Sequence, residues 1–428
     1  KCREYILQSS NKIASLKKSI MALGIIQIMS LVLPLITLPY LTRVLGVNAF
    51  GQVAFAQIIF QYFIMITDWG FSWSATKEVA LVKHDREKLS ALFLKTWLAQ
   101  LFLLLILFCV LLLVILYVPF FEKYKNIYLV GFSLVIGNVL LPLWLVQGLE
   151  SSDKILKAQF FTKLLVLPLT FICVDNNQDA IWAIGVLGFT SILSGLATQY
   201  WIWSHLGLTG QKVSLIEIVT TLKDSANLFF SRVAISLYTT LIPVVLGIVS
   251  GHTNVAIYSL ADKFRVAAQS VLAPISQALF PRLSYLYKHD PGEAKKLLKK
   301  SGLIILILSF LMSVILFFSA ELIIYIFGGE NFYGAVLILK ILSPIPFIIC
   351  VSNLLGVQIM LPNNKIKAFN NILFVAGILS FILMYPLIKK WAEMGAAINI
   401  LLIELFVASA MMMYVVQKRL IFSKKEVE

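Results

Sequence analysis

Cysteine and histidine are too few and too scattered in this sequence to support metal or thiol chemistry. Cys2, Cys109, Cys173 and Cys350 stand far apart and three of them lie inside apolar runs, so neither a disulfide framework nor a thiolate site is expected. His84, His205, His252 and His289 all fall in expected connections, with no pair at ligand spacing, so no metal and no cofactor is expected. Charge is scarce as well: 13% of residues are charged, where a soluble domain carries about a quarter. That shortage excludes an ordinary soluble globular chain. Also missing is any connection long enough to be a domain, since the longest, 204–224 and 281–301, hold about twenty residues each. An enzyme with an extramembrane catalytic domain is thereby argued against.

What the chain has instead is apolar length. Hydrophobic residues make up 60% of the 428 positions, and the mean hydropathy is +0.90. Segments of about 20 apolar residues are needed to cross a bilayer. By that ruler about twelve spans are expected, near 20–41, 50–75, 92–118, 128–149, 158–174, 181–203, 225–250, 255–280, 302–327, 334–360, 367–388 and 395–416. The net charge of +15 would suggest nucleic acid in a soluble protein. Here the cations cluster in alternate connections, 27 of the 36 on one side against 5 on the other. Such a bias predicts a multi-pass protein with both termini in the cytoplasm and no nucleic-acid partner. The first nineteen residues are polar and basic and the run after them lacks a small-residue cleavage site, so the first helix is expected to remain.

The chain also echoes itself. VQGLESSDKILKA, from Val146, and VQIMLPNNKIKA, from Val357, both place a lysine seven residues after the glutamine. LGVNAFGQVAFAQ, from Leu45, and LGIVSGHTNVAIYSLAD, from Leu246, begin alike. Echoes about 200 to 211 residues apart predict a parallel duplication, since six spans restore the same orientation. The expected fold is therefore all-α integral membrane, about twelve transmembrane helices in two six-helix lobes around a central cavity. Its expected parts are an N-terminal lobe 1–203, a cytoplasmic linker 204–224 and a C-terminal lobe 225–428.

Ionised side chains within spans are the candidates for function, because each costs about 2.5 to 3.5 kcal/mol at mid-bilayer and is kept only where protein, water or substrate receives it. Arg43, Arg232, Lys263, Arg265 and Lys340 are the cations, and Asp68, Asp262, Glu321 and Glu404 the carboxylates. Asp262 and Arg265, three apart on one helix, are placed to pair. The cations slightly outnumber the acids, which suits a phosphate-bearing ligand. The carboxylates suit a gate or the binding of a coupling proton or sodium ion. Asp68 and Arg232, at similar depth, are an expected gate pair between the two halves. The basic stretch 281–300 reads as a topology signal beside anionic lipid.

These residues resemble a family. LPLITLPYLTRVLG, from Leu33, followed by FGQVAFAQ and ITDWGFSWSATKEVA, resembles the opening of the bacterial polysaccharide transporters of the Wzx type, the O-antigen and capsular-repeat flippases. SRVAISLYTTLIPVVLG, YSLADKFR and LFPRLS look like the matching second-half motifs. The resemblance runs along nearly the whole chain. It implies a two-lobed carrier in the inner membrane that moves an undecaprenyl-pyrophosphate-linked oligosaccharide from the inner to the outer leaflet without bond chemistry, and so not an enzyme. It also carries over the motif positions Lys77, Glu78 and Arg282, beside Arg43, Asp68, Arg232, Asp262, Lys263 and Arg265. Expected partners are the lipid-linked glycan, membrane lipids, a polysaccharide polymerase and a chain-length regulator. The alternative reading is a cation-coupled exporter of small molecules on the same scaffold.

Overall fold

The protein is nearly all helix, as a chain immersed in hydrocarbon must be when each backbone amide has to find its partner within its own segment. The computed structural model describes residues 2–149, 153–207, 213–418 and 420; the side chains of 2–31, 153–158, 227, 230–232, 234–235, 237–239, 272–274 and 277–278 are outside that description. Two compact units divide the chain, Lys1–Val233 and Ala234–Glu428.

The first unit contains α1 (Cys2–Asp68), α2 (Phe71–Val82), α3 (Arg86–Tyr117), α4 (Pro119–Glu122), α5 (Lys125–Gly131), α6 (Ser133–Leu140), α7 (Leu143–Gly148), α8 (Asp153–Leu164), α9 (Val166–Cys173) and α10 (Ala180–His205). α11 (Leu215–Thr239) begins in the first unit and ends in the second. The second unit continues with α12 (Leu241–Ser250), α13 (His252–His289), α14 (Pro291–Phe318), α15 (Ala320–Gly328), α16 (Ala335–Leu342), α17 (Ile345–Leu355), a π-turn over Gly356–Met360 and α18 (Ile366–Gln417). Among the described residues seven helical stretches are long and apolar enough to cross a membrane. Two of them, Val32–Val82 and Ile366–Gln417, run to 51 and 52 residues, about 76 Å of helix against a hydrocarbon core of about 30 Å. Both are broken by backbone of positive φ, at Gly46 (φ 68°) in the one and at Ala392 (φ 46°) in the other.

The breaks show how the duplication is built. Gly46 (φ 68°, ψ 179°) and Gly251 (φ 85°, ψ 173°) hold the same backbone conformation 205 residues apart. One helix further on, Asp85 and Asp290 cap α3 and α14, each accepting from the backbone amide three residues later, Lys88 and Glu293, again 205 apart. The backbone therefore matches Gly46 to Gly251, four residues from the LG echo that pairs Gly46 with Gly247. Only glycine enters this region of φ and ψ without strain. A Cβ at Gly251 would meet nothing within 4 Å, so Gly251→Ala isolates the conformational cost. A loss of about 1–3 kcal/mol is expected, seen as a lower midpoint in thermal unfolding of the detergent-solubilised protein; an unchanged midpoint would contradict the assigned backbone.

At the far end of α1 the chain turns at Trp69 (φ 45°) and Gly70 (φ 82°). α11 docks on that turn. The Phe229 ring stacks on Trp69 at 4.0 Å, Trp69 Nε1 donates to the Leu222 carbonyl at 2.8 Å, and the Ser74 and Ser225 hydroxyls meet at 2.9 Å. Ile218 joins Phe71, Ala75, Val79, Phe93 and Trp144 in one buried core. The start of α11 is a reciprocal cap: the Ser214 amide donates to the Glu217 carboxylate, and the Glu217 amide donates to Ser214 Oγ. The Ser214 bonds hold the Glu217 carboxyl below its ordinary pKa. Residues 213–233 thus pack with the first unit.

Candidate functional site

The second unit holds a half-open cavity of about 320 Å³, and every residue lining it belongs to that unit. Three helices supply its polar wall: Arg265 and Gln269 from α13, Ser352 and Asn353 from α17, and Glu404 from the second half of α18. Val357 of the π-turn, Phe369, Leu373, Ile400, Val407 and Met411 supply the apolar wall. A π-turn inserts a residue into the helical register and so rotates the side chains after it. Here Val357 turns to the cavity while Gln358 is fully buried, donating Nε2 to the Ser276 carbonyl of α13 at 2.9 Å.

Depth can be read along the helices. From the break at Gly251 to Arg265 the chain climbs about 21 Å, and from the break at Ala392 to Glu404 about 18 Å. Both groups therefore stand at similar distances from the breaks that begin their helices. Arg265 is 7% exposed and Glu404 8%. The guanidinium is anchored on its own helix, Nε donating to Asp262 Oδ1 at 2.6 Å and Nη1 donating to Gln269 Oε1 at 3.1 Å. Asp262 thus neutralises Arg265 across one helical turn. Glu404 is different: among the described residues no hydrogen bond or ion pair reaches it, and only the field of Arg265 acts on it. A buried carboxylate without a partner is costly to keep ionised, and it faces a space that a proton, a small cation or a ligand group can enter.

Comparison with known proteins places this geometry. A family model described as "Polysaccharide biosynthesis protein" matches residues 16–287, well over half of the chain. The chain belongs to that family. It is 34% identical over 414 residues to a protein of Escherichia coli (strain K12) named "Putative O-antigen transporter", covering 96% of this chain and 99% of the relative. A protein of the same name from Shigella dysenteriae is 28% identical over 402 residues, covering 93% and 99%. Among solved structures, an inward-facing MATE-family multidrug transporter superposes with a TM-score of 0.70 at 12% identity, over 92% of this chain and 96% of that one. The lipid II flippase MurJ in its inward closed conformation superposes at 0.69 and 14% identity, over 93% and 87%. At those identities the likeness is one of fold. The motif resemblance to the Wzx-type polysaccharide transporters and the family match agree.

Two of the sequence-predicted residues, Arg265 and Glu404, line this family member's cavity, and Asp262 holds Arg265 from outside the lining; the others do not reach it. Lys263 is half-buried one residue along α13, outside the cavity lining, with an interaction of its own. Lys340, half-buried on α16, sits 6.0 Å from the centre of the Phe317 ring, the outer limit of a cation–π contact. Glu321 is exposed and accepts from the Tyr333 hydroxyl at 3.3 Å. Arg43, Lys77 and Arg282 are exposed, and Glu78 lies 3.8 Å from Lys95. Asp68 accepts from the Ser72 hydroxyl. The Arg232 side chain lies outside the described residues, so the expected Asp68–Arg232 pairing does too.

Sequence reasoning missed Gln269, Ser352 and Asn353. Gln269 carried a signal, since it stands four residues from Arg265 on the same face.

Proposed function

We propose that this chain is a flippase for lipid-linked oligosaccharide, moving an undecaprenyl-pyrophosphate-linked O-antigen or related repeat unit from the inner to the outer leaflet of the bacterial cytoplasmic membrane by alternating access. Both termini are then cytoplasmic, and no bond is made or broken. The observation that carries this reading is the family match together with a second-unit cavity lined by a buried arginine and a buried carboxylate. A polar sugar on a diphosphate cannot enter hydrocarbon, so a carrier must offer it a hydrated, mildly cationic route while the lipid tail stays in the bilayer. Arg43, Arg232, Lys263, Arg265 and Lys340 are the proposed cations of that route.

In this scheme Glu404 binds the coupling ion, a proton or sodium, which enters the second-unit cavity in exchange for the movement of glycan. Translocation in proteoliposomes that is insensitive to both gradients would discard this part. Asp68 and Arg232 are proposed as a gate pair; reversing either charge is expected to abolish transport, and reversing both together to restore it. Failure of the double reversal would remove the gate. The experiment that tests the function itself is a deletion strain: lipid-linked repeat units should accumulate on the inner leaflet and clear only when the wild-type chain is returned. Clearance without it would overturn the reading.

The second reading, a cation-coupled exporter of small compounds, draws on the MATE likeness and on the same carboxylate. Drug resistance conferred by expression, with no change in lipid-linked glycan, would favour it. A polysaccharide polymerase and a chain-length regulator remain the proposed neighbours, as the proteins that would handle the delivered unit.

A further inference from the structure

α14 begins with lysines that its counterpart in the first unit does not have. By the 205-residue register, Lys295, Lys296 and Lys299 correspond to Ser90, Ala91 and Leu94 of α3, and Lys300 corresponds to Lys95. The two lysines at the start of α3 are matched with acids: Lys88 lies 3.0 Å from Asp85 and Lys95 3.8 Å from Glu78. On α14 Lys296 lies 2.9 Å from Glu293. Lys299 and Lys300 are exposed, and among the described residues neither has an ion pair. Lysines at 295 and 299 and at 296 and 300 are also i,i+4 neighbours, an arrangement of like charges that works against the helix unless an anion relieves it.

Directly beyond the lysines the same helix face becomes apolar and exposed. Leu303, Ile304, Ile307, Leu308 and Leu311 are between 41% and 58% exposed, and the stripe ends at Phe318, 80% exposed. Leu303 to Phe318 spans about 22 Å, most of the thickness of the hydrocarbon core. The lysines therefore stand at headgroup level, at the end of a face made for acyl chains.

We infer that the first turns of α14 form a binding site for the headgroup of an anionic phospholipid, whose acyl chain lies along the Leu303–Phe318 stripe. The phosphate sits among Lys296, Lys299 and Lys300, and the site is a property of the second unit alone. It is independent of what the chain transports.

The test uses the full chain in detergent, titrated with phosphatidylglycerol and followed by native mass spectrometry and thermal shift. Binding of phosphatidylglycerol is expected, with phosphatidylcholine and soluble glycerol phosphate at least tenfold weaker. The triple variant K296Q/K299Q/K300Q should lose about a hundredfold in affinity, at roughly fivefold per lysine. The triple arginine variant should keep it, as should K389Q/K390Q, which removes two cations elsewhere. Equal binding of the two phospholipids would overturn the inference. So would soluble glycerol phosphate competing as well as the lipid, which would mark a phosphate site only. A glutamine variant that inserts in altered orientation yet keeps wild-type lipid affinity would show that the lysines serve topology alone.

Discussion

Glu404→Gln is expected to abolish surface polysaccharide in a strain that depends on this chain, with the protein accumulating at wild-type level and unfolding at an equal or higher temperature. The two halves of that result come from one fact. Glu404 is 8% exposed and lines the second-unit cavity without a hydrogen bond or ion pair among the described residues. Its charge therefore costs stability rather than supplying it, and a neutral amide of the same shape relieves the cost of desolvation. If the carboxylate is there to take up and release a cation during each cycle, glutamine removes the step while leaving the fold intact. Growth and polysaccharide display at wild-type level in the Gln variant would show that the carboxylate is not used.

The opposite sign is expected across the same cavity, at Arg265. Its guanidinium is buried and bonded to Asp262 and Gln269. Arg265→Leu leaves Asp262 as a carboxylate without its counter-charge, a change that costs about 3–5 kcal/mol for a buried pair. Replacing both, R265L/D262L, removes the pair without leaving a charge behind and should recover all but about 1 kcal/mol of that loss. The measurement is the unfolding midpoint of the two variants beside wild type in one detergent. A double variant as unstable as the single would mean that the arginine is held mainly by something other than Asp262. Recovery of stability in the double variant without recovery of transport would place Arg265 on the path of the substrate or the ion.

Much of this site was legible in the amino-acid sequence because charge stands out against hydrocarbon. Asp262, Arg265 and Glu404 could be chosen for their rarity within apolar runs, and the spacing of the first two predicts the pair that forms. Hydropathy measures depth along a helix but not the direction a side chain takes, so Lys263, one residue from Asp262, carries an equal signal and lies outside the cavity lining. Ser352 and Asn353 gave no signal, since small polar residues are ordinary in membrane helices and only the packing of α17 against α13 and α18 brings them to the cavity. α11 is one continuous helix whose residues up to Val233 belong to the first unit, and there Phe229 stacks on Trp69, a contact between residues 160 apart that no run of letters announces. The duplication itself was visible, but its register came from two backbone breaks and two helix caps rather than from matching letters.

The central claim, that this chain carries a lipid-linked glycan across a bilayer, is tested most directly with purified protein in proteoliposomes loaded with an undecaprenyl-pyrophosphate-linked oligosaccharide. An impermeant reagent added outside reads how much glycan has reached the outer leaflet over time. The account predicts that the wild-type chain brings the inner pool to the reagent, that a proton or sodium gradient sets the rate, and that the Glu404→Gln protein behaves like vesicles without protein. Glycan that stays inaccessible with the wild-type chain under either gradient would contradict it.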